Sequence, residues 1–349
     1  MTELSHLSTM KFLSRVVPKL LVASSAVKAA SIALRNNDGF FSEFIAALNE
    51  NNLTTLADSY EKIAETKEGG QVIDFLENKG ELTLLAPENR AFDDNSIINP
   101  DVLLYNTVQG NIDKDFRTTD HYFVRRRSRQ SRDVVETAQQ FPPSNSLRKR
   151  TESSQDFQVQ VIDQFVTDSG RKRTNDRLIL IDRAVGNAKV IRRFNFKQIV
   201  VLIIDTVLTL LAKVSDLLYK PLIKSAPNGL VKFRGALQKA GLLDTVDTQG
   251  GRITLFAPVD DEFCDIEKFS KDELSSFLKN HFFFGKIVYS PLFTSVRKAT
   301  AKSGKQLELS YENDIHYVRC GKDKAVVLRS DVISSNGVVH VIDRPLKCD

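Results

Sequence analysis

The stretch TLFAPVDDEF, Thr254 to Phe263, is nearly repeated earlier in the chain as TLLAPENRAF, Thr83 to Phe92. Its first residues favour a β-strand, and Pro258 removes a backbone donor, so the strand is expected to end there. Asp260 and Asp261 suit the positive N-terminal end of a helix, so a helix or turn is expected to follow. Two copies of this element predict two structural units.

A second element is repeated downstream of each copy, as IVVLIIDTVL, Ile199 to Leu208, and GVVHVIDRPL, Gly337 to Leu346. Each copy has the apolar run of a buried strand. When Asp205 is aligned with Asp343, four apolar positions match as well. We therefore expect the opening and closing segments to lie side by side within each unit.

A third segment, NHFFFGKI at Asn280 to Ile287, lies between these elements in the second unit, whose closing segment reads NGVVHVID, Asn336 to Asp343. Together with the TLFAP segment, these motifs resemble the fasciclin (FAS1) domain from about Gly229 to the C-terminus. The first unit is similar but divergent. Asn106 stands where the family's Tyr-His pair would place the histidine, and the closing segment lacks the usual Asn-Gly turn.

The resemblance implies an α+β fold of two tandem fasciclin-like (FAS1) domains, each a β-sheet wedge or sandwich with helices packed on one side. The structural motif positions that carry it are Thr83, Pro87, Phe92, Asp205, Thr254, Pro258, Phe263, Asn336, Gly337, His340 and Asp343.

The spacing of the motifs predicts the domain organisation. The first unit has 33 more residues than the second between Pro87 or Pro258 and the aligned aspartate. We predict a targeting or signal-like segment at 1–37, a first domain at 38–215 with a basic insertion at about 117–156, a linker at 216–228 and a second domain at 229–349. Two domains also agree with the chain length of 349 residues.

Composition is that of an ordinary globular chain, with 42% apolar and 27% charged residues. The net charge of +5 is concentrated between Arg117 and Arg150, where nine basic residues face three acidic ones. This distribution argues against a protein-wide basic surface for nucleic acid.

The basic stretch RRRSRQSR, Arg125 to Arg132, followed by FPPSNSLRKR, predicts an exposed, mobile loop. We favour a solvated charged loop. A processing site at Arg148, Lys149 and Arg150 is the second interpretation. A patch for nucleic acid or an anionic surface is the third, since clustered arginines without interleaved aromatic residues are weak evidence.

Signals for a compartment are few. An apolar run from Leu20 to Val27 followed by small residues near Ala29 resembles a secretory signal peptide, although an acid-poor mitochondrial presequence or a surface helix fits the same residues. Asn52 begins the only glycosylation sequon. The longest apolar run, Ile199 to Leu211, is too short to span a bilayer.

All three cysteines, Cys264, Cys320 and Cys348, lie in the second unit. A bridge between Cys264 and Cys348 would join the two ends of the domain in an oxidising compartment, but we favour free, buried thiols. Their spacing fits no zinc site.

Apolar periodicity predicts the remaining helices and strands of each unit. Apolar spacing from Phe40 to Leu56 predicts an entry helix, repeated from Phe233 to Ala240. QDFQVQVID, which ends at Asp163, alternates like a half-buried strand. Further strands are expected at 177–181, 190–196, 199–208, 306–309, 315–319, 325–329 and 338–342.

Three histidines lie in the second unit: His281, His316 and His340. No pair has the spacing of a metal site on a helix, and His340, on a strand among valines, is expected to be a hydrogen-bonded core residue. The resemblance gives His281 two interpretations, a structural pin, which we favour, and part of a binding epitope. The candidate binding residues are Asn280, His281, Phe282, Phe283 and Phe284, of which at least one phenylalanine must point outward.

Motifs of catalysis are missing from the sequence. There is no G-x-S-x-G and no phosphate-binding glycine loop, and Cys264 beside Asp265 is not sufficient for a nucleophile. We therefore predict a protein that is not an enzyme and that uses no metal and no cofactor.

The resemblance implies cell adhesion or matrix binding by a secreted or endomembrane protein, extracellular or vacuolar, whose partners are proteins or glycans at a cell surface. We expect no specific nucleic acid as a partner. A peripheral contact with a membrane surface is compatible with this interpretation. Two linked domains suit such binding because they raise effective concentration. The alternatives are an intracellular or mitochondrial protein that binds RNA or anionic membrane through the arginine stretch, and a hydrolase with an unrecognised site.

Overall fold

The structure, a computed structural model, describes residues 39–93, 96, 98–112, 123–125, 128–141, 157–167, 176–248, 251–261, 263 and 268–349. Its helices and two β-sheets form an α+β protein of two tandem units, which confirms the predicted fold class.

The first unit has four helices and eight strands among its described residues. The helices are α1 (Gly39–Glu50), α2 (Thr54–Ala64), α3 (Lys67–Asn78) and α4 (Pro100–Tyr105). The strands are β1 (Leu82–Pro87), β2 (Thr107–Gln109), β3 (Phe123–Arg125), β4 (Ser128–Gln140), β5 (Phe157–Thr167), β6 (Asp176–Asp182), β7 (Asn187–Phe196) and β8 (Ile199–Ile204).

The second unit repeats this order in a shorter form. Its described helices are α5 (Val214–Leu217), α6 (Val231–Lys239), α7 (Leu243–Val246) and α8 (Lys271–Leu278). Its described strands are β9 (Ile253–Pro258), β10 (Phe282–Phe283), β11 (Lys298–Thr300), β12 (Gln306–Glu312), β13 (Ile315–Cys320), β14 (Asp323–Ser334) and β15 (Gly337–Ile342).

A parallel strand pair forms the centre of each unit. In the first, β1 lies beside β8 with Thr83 opposite Val200; in the second, β9 lies beside β15 with Thr254 opposite Val338. The two registers are identical under the alignment of Asp205 with Asp343, and all four strands are buried along their whole length. Each opening strand ends at its proline, as the sequence predicted.

The two sheets differ in closure. In the first unit β2 pairs with both β1 and β4, so the sheet closes on itself, with Val108 opposite Thr137. The long hairpin of β4 and β5 makes this closure. In the second unit, β10 and β11 are the two edges of the sheet.

Helices cover one face of each central pair. In the first unit α1, α2 and α3 pack on the sheet through Phe44, Tyr60 and Leu76. In the second unit α6 packs through Phe233 and α8 through Leu274. The opposite face of each sheet holds a separate apolar cluster, and both clusters exclude water from the parallel pair.

The basic stretch is not a loop where the structure describes it, which corrects our expectation. Phe123–Arg125 and Ser128–Gln140 are strands, and β4 pairs with β5 over most of its length. Likewise, β5 is buried on both faces rather than half-buried, because the second unit covers the face that would otherwise meet solvent.

The predicted linker at 216–228 is packed rather than extended. Leu217, Leu218 and Leu222 belong to the same apolar cluster as Phe233, so this segment lies against the second core. The domain boundaries themselves stay predictions.

The predicted helix pairing was wrong, because the caps identify different partners. Asn89, in the first opening motif, accepts from the Thr55 N–H at the start of α2 (3.1 Å). Asp260, at the same position of the second motif, accepts from the Val231 N–H at the start of α6 (2.9 Å). The counterpart of α6 is therefore α2, not the helix that begins near Phe40. Asp260 caps a helix that precedes it, rather than one that follows.

Candidate functional site

The middle motif of the second unit begins with a single 3-10 turn, Lys279–His281, and continues as β10 beside β9. Four of the five candidate binding residues, from Asn280 to Phe283, are buried. Phe284 is half-buried and is thus the phenylalanine that points outward. A direct role in binding is available only to Phe284 in this conformation, and the buried residues fit the structural interpretation that we favoured.

His281 connects the end of α8 to the closing segment. Its Nδ1–H donates to the Phe277 carbonyl oxygen (3.3 Å), and its Nε2 accepts from the Leu346 N–H (3.0 Å). The rings of Phe233 and Phe277 enclose it at 5.6 and 5.2 Å between centroids. Burial lowers the pKa of His281 to about 4, so the imidazole is neutral at pH 7 and both nitrogens are already used.

Asn106 takes over this connection in the first unit. Its Nδ2 donates to the Val102 carbonyl oxygen (2.7 Å), one helical turn earlier, and to the Leu208 carbonyl oxygen (3.1 Å). Leu208 is the counterpart of Leu346. The first unit therefore keeps this connection without the histidine, because the amide of Asn106 also bonds to both backbone segments.

Two further hydrogen bonds between a polar side chain and the backbone occur at matching positions of both units. Asp205 accepts from the Lys189 N–H, and Asp343 accepts from the Val326 N–H, both at 2.8 Å. Thr83 donates to the Gly110 carbonyl oxygen, as Thr254 does to that of Lys286.

The missing Asn-Gly turn is compensated in a similar way. Asn336 donates to the carbonyl oxygens of Val246 (2.8 Å) and Thr248 at the end of α7. Gln198, the residue at the same position of the first unit, donates to those of Leu76 (2.9 Å) and Glu77 at the end of α3. Both amides tie the closing strand to a helix end.

His340 lies beside an acid and a hydroxyl, but the geometry is not that of a hydrolase. Its Nε2 is 2.9 Å from the Val288 carbonyl oxygen, and its Nδ1 accepts from the backbone N–H of Asp331 (3.3 Å). The Ser290 hydroxyl donates to the Asp331 carboxylate, not to the imidazole. Because both ring nitrogens are bound to backbone groups, His340 cannot serve as the base of a nucleophilic serine.

Burial lowers the pKa of His340, although the nearby Asp331 opposes this shift. Burial also opposes ionisation of Asp331. However, His340, the Arg132 charge and the hydrogen bonds from Ser290 outweigh it and hold the pKa of that carboxyl below its usual range. Asp331 is therefore a buried anion, and its partner across the domain interface is Arg132.

His316 lines a groove of about 480 Å³ together with Asp314, Ser290 and Ser330. Asp314 accepts from the Tyr311 hydroxyl (3.1 Å), and the Ser330 oxygen accepts from Arg132 (3.3 Å). Since the hydroxyl of Ser290 is directed to Asp331, Ser290 is not part of a relay with His316.

A buried ionic network joins the two units. Arg132 of β4 contacts Asp163 through two hydrogen bonds (2.8 and 2.7 Å) and Asp182 through one (3.2 Å), and lies 3.8 Å from Asp331 of the second unit. Arg329 of the second unit also donates to Asp182 of the first unit (3.0 Å) and to the carbonyl oxygen of Ala184. Each buried charge of the network thus has a partner of opposite sign, and two of the ion pairs, Arg132–Asp331 and Arg329–Asp182, cross between the units.

Beside this network the interface is apolar. Phe141, Val159 and Val161 of the first unit pack in one cluster with Tyr289 and Ile333 of the second. The β4–β5 hairpin therefore serves as the docking face of the first unit, which sequence reasoning missed. The available signal in β4 was the step from the charged Arg132 and Asp133 to the apolar Val134 and Val135, but it did not identify a partner.

Cys320 and Cys348 form a disulfide, which contradicts the expectation of free thiols for this pair. Their Cα atoms lie 4.6 Å apart because the C-terminal segment returns beside the end of β13. Cys264 lies outside the described residues.

Of the other predicted sites, some lie within the described residues and some lie outside them. Asn52 is exposed in the turn between α1 and α2, with φ 61°, so its sequon is accessible. Arg148, Lys149, Arg150 and the segment 1–37 lie outside the described residues. In the part of the chain that the structure describes, no helix has the length and apolarity to cross a membrane, and no three metal-ligating side chains cluster.

The fold and its repeated pins define a duplicated α+β domain protein whose polar centres hold backbone segments together. A family model, Fasciclin domain, matches residues 228–348. The second domain therefore matches the fasciclin family model, and the first domain repeats its strand register.

Three relatives are similar in sequence. The chain is 30% identical over 125 residues to the fasciclin-like arabinogalactan protein elcF of Phaeosphaeria nodorum (35% of this chain, 38% of that protein). It is 27% identical over 312 residues to a fasciclin-like arabinogalactan protein of Arthroderma benhamiae (86% and 65%). It is 33% identical over 121 residues to a Synechocystis protein (31% and 62%). The chain spans less than two thirds of the length of each of these relatives.

A FAS1 domain pair from the insect cell adhesion molecule Fasciclin I is a structural neighbour. It is 22% identical, the match covers 85% of this chain and 97% of that one, and the TM-score is 0.38.

Proposed function

We propose that this chain is a non-catalytic binding protein of the cell surface or extracellular matrix, whose two domains present their outer faces as one rigid unit to proteins or glycans. The observation that carries the proposal is the buried network of Arg132, Asp163, Asp182, Arg329 and Asp331. Such a network fixes the relative position of two binding faces. The ring nitrogens of His281 and His340 are meanwhile occupied by backbone groups.

Two observations support the compartment. Two of the relatives are named fasciclin-like arabinogalactan proteins, a cell-surface class of protein. The Cys320–Cys348 disulfide suits an oxidising environment. The route through the secretory pathway and the cleavage of a signal peptide are part of this proposal.

An adhesion assay tests the function. Cells of the source organism should attach to a surface coated with the full chain more strongly than to one coated with albumin, and soluble chain should compete. Attachment equal to the albumin control would exclude the proposed role.

The compartment has its own test. The native protein should begin near residue 30, and a glycosidase that removes N-glycans should shift its mass, whereas an Asn52→Gln variant should show no shift. An intact Met1 without glycan, recovered from the cytosol, would contradict secretion.

The alternative, binding of RNA or anionic membrane through the arginine stretch, loses one of its cations, because Arg132 is held in the interface. Binding that weakens steeply with salt and requires Arg125 to Arg129 would favour that alternative.

A further inference from the structure

The second domain contains a long segment without any negative charge. Residues 274–307 include six lysines and arginines and no aspartate or glutamate. This cluster is separate from the basic stretch of the first domain, and it surrounds the middle motif. Lys286, Lys302 and Lys305 are exposed, and Lys279 is half-buried.

Backbone contacts bring these lysines together around Phe284. The Lys302 N–H donates to the Phe282 carbonyl oxygen (2.8 Å), and the Ser303 N–H donates to that of Lys279 (3.1 Å). The turn that carries Lys302 and Lys305 therefore lies directly against the middle motif. The Lys302 ammonium is 5.9 Å from the centre of the Phe284 ring. We call Lys279, Phe284, Lys286, Lys302 and Lys305 the Phe284 patch.

The patch has chemistry available for a ligand. Among the described residues, none of its four ammonium groups forms a salt bridge, whereas the neighbouring Lys298 is paired with Glu308 (3.4 Å). Gly285 follows Phe284 with φ 87°, and a Cβ there would contact nothing within 4 Å, so the surface beside the ring is open. A partly exposed aromatic ring with unpaired cations around it suits a ligand that combines a flat apolar face with negative charge.

We propose that the Phe284 patch binds an anionic polysaccharide, with a sugar ring stacked on Phe284 and its carboxylate or sulfate groups paired with the lysines. This inference rests on the proposed surface function and specifies its ligand. A membrane fits less well, because the exposed large apolar side chains of the described residues include none from the patch or from 274–307. A nucleic acid fits less well, because single-strand binders stack successive bases on several aromatic side chains and the patch has one, Phe284.

Charge reversal in the full chain tests the electrostatic part. Binding of the wild type to heparin and to polygalacturonate should weaken with salt, and neutral dextran should not bind. The Lys286→Glu/Lys302→Glu variant should bind at least about tenfold more weakly, since each substitution replaces an attraction to the polyanion by a repulsion. The matched control, Lys62→Glu/Lys67→Glu, changes the same net charge on exposed helix positions of the first domain and should keep wild-type affinity.

Equal losses in the two double variants, or equal binding of neutral dextran, would overturn the proposal. So would binding only to phosphatidylserine vesicles or only to single-stranded RNA. Thermal unfolding should be unchanged in both variants, because all four lysines are exposed.

A second pair of variants tests the aromatic part. Phe284→Tyr keeps the ring and should bind like wild type, whereas Phe284→Leu keeps the apolar contact with the core but removes the ring, and should bind several-fold more weakly. Equal affinity of the two would exclude stacking. If the wild type does not support cell attachment but binds polysaccharide, and only the patch variants lose that binding, the proposed adhesion role is wrong and the site assignment stands. If the wild type supports cell attachment but the patch variants bind polysaccharide as the wild type does, only the site assignment is rejected.

Discussion

Single polar side chains connect the secondary structure elements of each domain. His281 and Asn106 perform one task with different groups, an imidazole that donates and accepts and an amide that donates twice. Buried polar groups are tolerated only when hydrogen-bonded, so each pin must keep both of its partners. Consequently the family histidine is replaceable at the level of the fold, but the replacement changes how the domain responds to pH.

Acid should destabilise the second domain through His281. The unfolded imidazole takes up a proton near pH 6.5, and the folded one does so only near pH 4. The contribution of the neutral His281 to the free energy of unfolding is therefore fully present above about pH 6.5. It falls by about 3 kcal/mol as the pH falls towards 4. Guanidinium unfolding of the full chain at a series of pH values measures this loss.

The His281→Asn variant, which introduces the side chain that Asn106 supplies in the first domain, isolates the effect. Its stability curve should lack this component while keeping that of His340, whose pKa is lowered in the same direction. If the curves of wild type and variant run parallel from pH 7 to pH 4, the assignment to His281 is wrong.

Gly337 is required by a close backbone approach. A Cβ at this position would lie 2.0 Å from the Ile253 carbonyl oxygen. Gly337→Ala must push β15 away from β9, and we expect a loss of more than about 2 kcal/mol in the free energy of unfolding. The control is Gly235→Ala in α6, where a Cβ meets nothing within 4 Å. It should stabilise by up to about 1 kcal/mol.

At the scale of elements, the closing strand and the C-terminal segment hold the second domain together. The segment after β15 is hydrogen-bonded to His281 and Asn280 on one side. On the other side, the disulfide attaches it to the end of β13. The segment therefore connects the turn before β10, at one edge of the sheet, to the end of β13.

Removing the disulfide should destabilise the second domain. The bridged cysteines are 28 positions apart, and closing a loop of that length is worth about 3 to 4 kcal/mol. Cys320→Ser/Cys348→Ser should lower the free energy of unfolding by that amount, and wild type in reducing agent should match it. A free-thiol titration of denatured wild type that finds three thiols instead of one would disprove the bridge.

At the scale of the whole molecule, an ionic network and an apolar cluster lock the domains together. Burial raises the pKa of the Asp182 carboxyl, although Arg329 and Arg132 oppose this shift. Removing one arginine would leave buried carboxylates without a partner, which is far more costly than losing a surface ion pair. The domains should therefore separate when Arg132 is lost.

Arg132→Met should destabilise the interface by about 3 to 5 kcal/mol. We expect two separate unfolding transitions and a larger radius of gyration in solution scattering. Arg90→Met removes an arginine that is 89% exposed and paired with Glu88 at 3.5 Å, and it should change stability by less than about 0.5 kcal/mol. Equal effects of the two substitutions would show that the network does not hold the domains.

The sequence by itself determined the duplication, the side-by-side placement of the opening and closing segments, and the fold class. The repeated apolar runs, aligned on Asp205 and Asp343, predicted buried strands, and the structure adds that they pair in parallel with the same register in both units. The sequence also indicated that one of three consecutive phenylalanines faces outward. These properties are local or repeated, so they can be read along the chain.

Only the tertiary structure decided which distant groups meet. Arg132 pairs with Asp163 across 31 positions and reaches Ser330 across 198, and neither separation has a sequence signal. Three pairings of three cysteines were open until the C-terminal segment was seen to return beside Cys320. Charge pairs and disulfides depend on how packed surfaces dock, and docking is a property of the assembled cores rather than of any one stretch.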